Sequence, residues 1–301
     1  MPFKHVALLG LGLIASSIAL ALRERFPEIK ITGFSRSEKT RKKAKKIGFC
    51  QVHDTVRNCV SEADLVIICV PVGAMKDTMR IAAPHLAKGV VVSDVGSVKS
   101  SVIKTINTII PKGIPFVPAH PIAGTENSGP EAGFSTLFNG RWCILTPTTQ
   151  TPIEATKKVK EFWESLGAQV KEMDANHHDL VLSVTSHAPH LIAFTMVGVA
   201  DEFSKVTKSE VINYSAAGFR DFTRLAASDP IMWRDIFINN KDAALEILGR
   251  FTEELFALQS AIRRKDSKFL QEYFERTRKV RRSIIEAGQD TPKENFGREG
   301  R

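Results

Sequence analysis

Two side chains in this 301-residue sequence are of types suited to moving a proton and binding an acid. His120 lies in the segment His120-Pro-Ile-Ala-Gly-Thr-Glu126, and an imidazole with a pKa of about 6.5 accepts protons at neutral pH. Arg224 carries a guanidinium, whose planar fork binds a carboxylate through two charge-assisted hydrogen bonds. Each has a plainer alternative, which is a turn histidine for His120 and a helical ion pair with Asp221 for Arg224.

A glycine turn near the amino terminus is suited to binding phosphates. The segment Val6-Ala-Leu-Leu-Gly10-Leu-Gly12-Leu-Ile-Ala15 places G-x-G-x-x-A after an apolar run and before a helical pattern. Gly10 permits a tight turn, Gly12 lets the backbone approach a pyrophosphate, and the alanine allows close helix–sheet packing. The first helical turn, with Leu13 and Ile14, offers free N–H groups to the phosphates. We predict a dinucleotide site here, the alternative being a tight turn without a ligand.

The end of the second predicted strand indicates which nicotinamide cofactor binds. An NAD enzyme usually places Asp or Glu there, where it binds the ribose 2′-hydroxyl. This sequence has Ser35 and Arg36 at that place, and the first acid after the predicted strand is Glu38. Ser35 and Arg36 suit a 2′-phosphate, so the sequence favours NADP over NAD. The alternative is that Arg36 is a surface residue and NAD binds without its usual acid.

The spacing of apolar residues predicts the strands and helices that position these residues. Short apolar runs alternate with helical segments in the first half, which is typical of βαβ units and predicts a Rossmann-type parallel sheet. We predict strands at Val6–Leu9, Ile29–Phe34, Leu65–Val70, Val90–Asp94, Phe116–Ala119, Trp142–Thr146 and Ala168–Glu172. Predicted helices begin near Leu13, Glu38, Gly73, Lys99 and Thr151.

The second half of the chain is predicted to be helical. Asp174 is a suitable N-cap for a first helix, and a second helix is expected to begin at Pro189. Apolar residues then recur at helical spacing from Pro230 to Glu286, and their number suggests a two-fold dimer. We predict a dinucleotide-binding domain over 1–173, an all-α substrate and dimerisation domain over 174–287, and a disordered tail over 288–301.

Composition limits the classes of partner and compartment. The net charge of +9 fits either a solvated basic surface or a site for an anionic ligand. The basic residues are not interleaved with aromatic ones, which argues against nucleic acid. The four cysteines show no C-x-x-C spacing, so we expect a reducing, cytoplasmic setting. The apolar stretch Val6 to Leu22 imitates a secretion signal but divides into strand, turn and helix. We expect no later segment to span a membrane, since Asp, Arg or Lys interrupts each candidate.

Three further motifs follow the glycine turn along the chain. They are Ser93-Asp-Val-Gly-Ser97-Val-Lys99, the segment that begins at His120, and Gly218-Phe-Arg-Asp221-Phe-Thr-Arg224 followed by Asp229-Pro-Ile-Met-Trp233. With these motifs the chain resembles the prephenate/arogenate dehydrogenases of tyrosine biosynthesis over nearly its whole length. The resemblance implies oxidative decarboxylation of prephenate, arogenate or both, with hydride transfer to NADP or NAD, in a homodimer.

The resemblance also implies roles for individual residues. His120 matches the catalytic histidine that interacts with the ring hydroxyl of the substrate. Ser97 matches the serine that orients this histidine and contacts the cofactor, and Arg224 matches the arginine that binds a substrate carboxylate. Five other positions match residues that line or shape the active site, namely Glu126, His178, His190, Asp221 and Trp233.

Three other functional interpretations fit parts of this sequence. His187 and His190 are three residues apart, but no cysteine lies near and a third ligand is missing, so we expect no metal. A β-hydroxyacid dehydrogenase would share the two-domain plan but would rely on a lysine in the helical domain. A redox sensor would bind NADP(H) without turnover. Glu131 is an acid that would favour the ammonium of arogenate, but its place in the fold does not follow from the sequence.

Overall fold

The apolar runs of the first half form β-strands in the computed structural model, which describes residues 1–125, 127–204 and 210–287. The strands are β1 (His5–Leu9), β2 (Lys30–Phe34), β3 (Gln51–Val52), β4 (Leu65–Ile68), β5 (Val91–Asp94), β6 (Phe116–Val117), β7 (Ala119–Pro121), β8 (Trp142–Leu145) and β9 (Gln169–Glu172). The first six form one parallel sheet in the order β3-β2-β1-β4-β5-β6. This is the doubly wound order of dinucleotide-binding folds, and its switch point lies between β1 and β4.

Helices connect most of these strands and make up most of the described chain after β9. They are α1 (Leu13–Arg25), α2 (Glu38–Ile47), α3 (Val56–Val60), α4 (Val72–Ala82), α5 (Ser100–Asn107), α6 (Ile153–Ser165), α7 (Ala175–Leu182), α8 (Ala188–Ser204), α9 (Glu210–Asn213), α10 (Ala217–Thr223), α11 (Pro230–Asn239), α12 (Lys241–Arg264) and α13 (Ser267–Glu286). The predicted N-cap of α7 is confirmed, since the Asp174 side chain accepts hydrogen bonds from the N–H groups of Asn176 and His177. The short elements β3 and α3 were not predicted.

The parallel sheet is covered on both faces, as its continuous apolar strands predict. Along β1, Val6 and Leu8 are buried in one cluster, together with α1 and α6. The alternate residues Ala7 and Leu9 are buried in a second cluster, together with α4 and α5. Trp233 of α11 belongs to this second cluster. The same packing that stabilises the sheet therefore also holds a predicted site residue.

The predicted strand Phe116–Ala119 is wrong in one respect, because the chain changes sheet at Pro118. β6 pairs with β5, whereas β7 pairs antiparallel with β8 in a separate three-stranded sheet, β7-β8-β9. Proline has no N–H to donate to a ladder, so a strand is readily interrupted there. His120 consequently lies within a strand of the small sheet and not in a loop after a strand of the large one.

The helix predicted to begin at Pro189 is present as α8, which begins at Ala188, but no break separates it from α7. The helix is continuous from Ala175 to beyond Pro189, and a single π-helical turn occupies Ser183–His187. Proline lacks an N–H and its ring crowds the carbonyl of the preceding turn, and a wider π turn relieves that conflict without ending the helix. The same turn carries His187.

Two compact units make up the chain, Met1–Leu245 and Glu246–Arg301. The first contains both sheets and α1 to α11, and the predicted boundary near residue 173 falls within it, after β9, and stays a prediction. The second contains most of α12 and all of α13. The predicted disordered tail 288–301 lies outside the described residues.

One helix is more apolar than the sequence suggested. Ala175–Phe203 is long and apolar enough to cross a membrane by length and composition, with a mean hydropathy of 1.4 in its most apolar window. The prediction that no later segment reaches this level is therefore wrong. Only 22% of that window is buried within the single chain. Because buried core helices and interface helices pass the same test, this property alone is weak evidence for a membrane span.

Candidate active site

The glycine turn has the geometry that a bound pyrophosphate requires. Gly10 has φ of +103°, and a Cβ added there would come within 2.8 Å of the carbonyl group of Cys69. Gly12 is the N-cap of α1 and has no atom within 4 Å of an added Cβ. Open space beside a helix N-terminus with free N–H groups on Leu13 and Ile14 fits the phosphates of a dinucleotide.

The loop after β2 is held by an arginine that the sequence analysis did not single out. The Arg41 guanidinium donates hydrogen bonds to the backbone carbonyls of Ser35 and Arg36, at 2.7 and 3.1 Å. It also pairs with Asp54 at 3.2 Å. Ser35 is half-buried and the Arg36 side chain is exposed. Arg41 therefore fixes the backbone of the two residues that were predicted to bind a 2′-phosphate.

A buried ion pair joins the end of β5 to the start of β7. The Lys99 ammonium donates hydrogen bonds to the Asp94 carboxylate and, at 2.7 Å, to the carbonyl of Ala119. The same carboxylate accepts hydrogen bonds from the N–H groups of Ala119 and Gly96. Both side chains are fully buried. These contacts hold the backbone immediately before His120.

The predicted catalytic histidine contacts a second histidine. His120 Nδ1 lies 2.9 Å from His178 Nε2, and both rings are buried. His178 Nδ1 lies 2.8 Å from Asp179 Oδ1. Asp179 also accepts hydrogen bonds from the backbone N–H groups of Lys99 and Ser100, at 2.8 and 2.9 Å. A continuous series of hydrogen bonds thus runs from the N-terminus of α5 through Asp179 and His178 to His120.

Burial determines the charge states of His120, His178 and Asp179. Burial lowers the pKa of His120 well below its usual value, and the positive charge of Lys99 adds to the effect. Burial also lowers the pKa of His178, although the hydrogen bond to Asp179 opposes it. Burial raises the pKa of Asp179, but the hydrogen bonds from His178 and the α5 backbone outweigh it and the net shift is downward. At neutral pH these three hydrogen-bonded side chains are therefore two neutral imidazoles, His120 and His178, and one carboxylate, Asp179.

His187 lies beside this pair but does not join it through a hydrogen bond. Its Nδ1 lies 3.2 Å from the amide nitrogen of Asn240, which also donates to the backbone carbonyl of Asp179. Its Nε2 is buried without a partner in the described residues. Burial lowers the pKa of His187 to about 4, so the ring is neutral. No group of three or more potential ligands in the described ranges is arranged to hold a metal ion.

His190, Trp233 and Arg224 come together on the helical side of the same unit. The His190 ring stacks on Trp233 with centroids 3.8 Å apart, and its Nδ1 lies 2.8 Å from the carbonyl of Ser186. Burial lowers the pKa of His190, and the charge of Arg224 adds to the effect. The indole N–H of Trp233 is buried without a partner among the described residues. The half-buried His190 ring, with the Arg224 cation near it, suits an anionic ligand.

The remaining predicted residues have less defined positions. Ser97 is half-buried, and within the described chain its side chain makes no hydrogen bond to His120, so its predicted role stays a prediction. Asp221 is exposed on α10, three residues before Arg224 in the sequence. Glu126 lies outside the described residues. Glu131 forms an ion pair with Lys43 of α2 at 2.7 Å, which does not place it beside His120.

Four residues of the site were not predicted, and the reason differs among them. Asp94 and Lys99 stand in a motif that was singled out for Ser97, and their mutual contact depends on the turn between β5 and α5. Asp179 follows His178 directly, which was the available signal. Asn240 bonds residues about sixty positions away, which no local pattern indicates.

Comparisons with known proteins show which family the chain resembles in sequence. Residues 18–172 match the family model for the prephenate dehydrogenase nucleotide-binding domain, and residues 174–276 match the one for the dimerization domain. The chain is 43% identical to cyclohexadienyl dehydrogenase of Zymomonas mobilis over 94% of this chain and 96% of that one. It is 34% identical to prephenate dehydrogenase of Bacillus subtilis over 92% of this chain and 75% of that one.

A solved structure is similar over most of the chain. The crystal structure of prephenate dehydrogenase from Aquifex aeolicus, in complex with hydroxyphenyl propionate and NAD+, has a TM-score of 0.87 and 34% identity. The match covers 93% of this chain and 98% of that one. With the Rossmann strand order and two matching family domains, the chain belongs to the prephenate dehydrogenase family and is an NAD(P)-dependent oxidoreductase.

Proposed function

We propose that the chain catalyses the oxidative decarboxylation of prephenate, arogenate or both. The hydroxyl-bearing ring carbon of the substrate gives up a hydride, its O–H loses a proton, and the ring carboxylate leaves as CO2. Aromatisation supplies the driving force, so the protein needs mainly to orient the substrate and handle the proton. The observation that carries the proposal is His120, a buried and neutral histidine whose Nδ1 is engaged by His178.

His120 handles the proton in this proposal. Its Nε2 accepts the hydroxyl proton as the hydride departs, because a neutral imidazole is a suitable base at physiological pH. After CO2 leaves, the ring oxygen carries a negative charge and takes the proton back from the same nitrogen. The net products are one aromatic phenol, one CO2 and one reduced cofactor, so the proton count balances.

The cofactor supplies the hydride acceptor when it is bound. We infer that Gly10, Gly12 and the first turn of α1 hold its pyrophosphate, because the backbone there leaves open space beside free N–H groups. Ser35 and Arg36 favour the 2′-phosphate of NADP, and Arg41 supports that choice by fixing their backbone. The neighbour from A. aeolicus has NAD+ bound, so NAD is the alternative to be measured.

Initial rates with each substrate and each cofactor test the proposal. Prephenate and arogenate, each with NADP and with NAD, should be compared by the appearance of reduced-nicotinamide absorbance. We expect turnover with at least one substrate and a higher kcat/KM with NADP. Cofactor binding without turnover in all four combinations would favour a redox sensor and reject the proposal. A higher kcat/KM with NAD would reject the cofactor preference only.

Arg224 is proposed to bind a substrate carboxylate beside the stacked pair of His190 and Trp233. Arg224→Ala is expected to raise the KM for the substrate about 10- to 100-fold, since charge-assisted hydrogen bonds are the stronger class. Its effect on kcat should be smaller, because the carboxylate is bound equally in the ground and transition states. Steady-state kinetics of Arg57→Ala, an exposed arginine on α3, provide the control. An unchanged KM would assign Arg224 a structural role.

We also propose that two copies of the chain associate through helical surfaces, in the cytoplasm and without a membrane. Within the second unit, Leu255, Phe256 and Ile262 are more than half exposed and line an apolar groove with Phe274. Within the first unit, Met196, Val199 and Phe203 are exposed on α8. Clusters of exposed apolar side chains are typical of protein–protein interaction surfaces.

The mass of the protein in solution tests this association. Light scattering at micromolar concentration is expected to give twice the mass of one chain. Phe256→Glu places a charge in the groove and is expected to shift the mass toward one chain, since burying an unpaired charge is costly. A monomeric mass for the unchanged protein would contradict the proposed dimer.

A further inference from the structure

The contacts around His178 impose a direction on its hydrogen bonds. The Asp179 carboxylate is ionised and can only accept, and it already accepts the N–H groups of Lys99 and Ser100. His178 Nδ1 lies 2.8 Å from the same carboxylate, so this nitrogen must be the one that carries a proton. A neutral histidine has one donor and one acceptor nitrogen. His178 Nε2 is therefore an acceptor.

The acceptor role of His178 Nε2 determines which ring nitrogen of His120 carries a proton. His120 Nδ1 lies 2.9 Å from His178 Nε2, and two acceptors cannot form a hydrogen bond with each other. His120 must then carry its proton on Nδ1. The other nitrogen, Nε2, is left without a proton and is able to accept one.

We propose that Asp179 and His178 are positioning residues, which act as a relay that fixes the ring tautomer of His120 with Nε2 unprotonated. The inference rests on the proposed function for its catalytic consequence. In the opposite tautomer Nε2 would carry a proton and could not accept the substrate hydroxyl proton. The relay thus selects the one tautomer that is competent as a base, as an aspartate does for histidine in hydrolytic triads.

The relay gives His178 a role different from the one that the resemblance implied. His178 was expected to line the substrate site, but its side chain is 0% exposed and both its ring nitrogens are engaged within the protein. Its contribution therefore passes through His120. Among the described residues, the other charged or titratable groups around the relay include the Asp94–Lys99 pair, His187 and the buried Cys143.

Asp179 is held rigidly enough to transmit this orientation. Its carboxylate receives the first N–H groups at the N-terminus of α5, where a negative charge is favoured. Its backbone carbonyl accepts a hydrogen bond from Asn240 at 2.9 Å. These contacts tie α7 to α5, and with them the position of the His178 ring.

Two substitutions of His178 separate the relay from simple packing. In His178→Gln the amide oxygen reaches the place of Nε2 and keeps an acceptor for His120. In His178→Asn the shorter amide keeps a donor for Asp179 but leaves His120 Nδ1 without an acceptor. We expect kcat to fall about 100-fold or more in His178→Asn and less than about tenfold in His178→Gln, because general-base catalysis contributes at least about 100-fold.

The controls address folding and cofactor binding. His177→Asn, an exposed neighbour on α7, is expected to leave kcat unchanged. The KM for the cofactor and the thermal midpoint should be similar in the two His178 variants, so that a difference in kcat is not a difference in folding. Equal losses of kcat in His178→Asn and His178→Gln would overturn the relay.

A measurement that does not depend on enzyme activity distinguishes the proposed relay from the proposed function. Nitrogen-15 NMR of histidine-labelled, unchanged protein identifies which ring nitrogen carries the proton. The relay predicts Nδ1–H for both His120 and His178 at neutral pH. Nε2–H on His120 would overturn the relay whether or not the protein turns over prephenate or arogenate, and absent turnover would reject the function alone.

Discussion

His120→Asn is expected to lower kcat by about 10²- to 10⁴-fold, which is the usual contribution of a general base. The asparagine amide can still donate a hydrogen bond to His178 at the place of Nδ1, but it has no nitrogen at the place of Nε2. The substitution therefore removes the proton acceptor while it retains the neighbouring contact. Steady-state kinetics should show this loss with little change in the KM for the cofactor, because the glycine turn is not altered.

The pH dependence of the unchanged protein gives a companion measurement. The base is active when it is deprotonated, so kcat/KM falls as the pH decreases through the pKa of His120. Because burial lowers that pKa, the decrease is expected below pH of about 6.5, the usual histidine value. A near-normal kcat in His120→Asn, or a decrease of kcat/KM well above that pH, would contradict the role of His120.

Lys99→Met is expected to destabilise the fold by about 3–5 kcal/mol, since it leaves a buried carboxylate without its cation. Both Lys99 and Asp94 are fully buried, so solvent cannot compensate the remaining charge. The pair also fixes the backbone of Ala119 next to His120, and kcat should fall together with stability. Thermal unfolding should show a midpoint lower by roughly 10 °C.

A double variant distinguishes the charge from the packing of Lys99. Asp94→Asn combined with Lys99→Met removes both charges and keeps side chains of similar size. The double variant is expected to be more stable than Lys99→Met, because a buried pair can be replaced by neutral groups at little cost. If the double variant is less stable than Lys99→Met, the loss does not arise from an unpaired Asp94 carboxylate.

Much of the nucleotide-binding half could be predicted from the sequence because its signals are contiguous. The strand, glycine turn and helix around Gly10 and Gly12 are specified by neighbouring residues, and the helix N-cap Asp174 likewise acts within its own turn. The structural consequences of two prolines were not predicted. Pro118 divides one predicted strand between two sheets, whereas Pro189 is accommodated by a π turn instead of ending a helix.

The support of the active site could not be predicted, because its contacts join distant segments. Asp179 accepts the N–H of Lys99 across 80 residues of sequence, and His120 meets His178 across 58. The motifs identified His120 as a candidate base. Its protonation pattern follows only from the three-dimensional contacts of His178 and Asp179.

In the proposed reaction, oxidation and decarboxylation occur together in one site. The most direct measurement uses prephenate with deuterium on the hydroxyl-bearing ring carbon, followed by mass spectrometry of the cofactor and assay of CO2. We predict that the reduced nicotinamide acquires the deuterium, that the aromatic product has none, and that CO2 equals reduced cofactor. Aromatic product formed without cofactor reduction, or reduced cofactor formed without CO2, would contradict the claim.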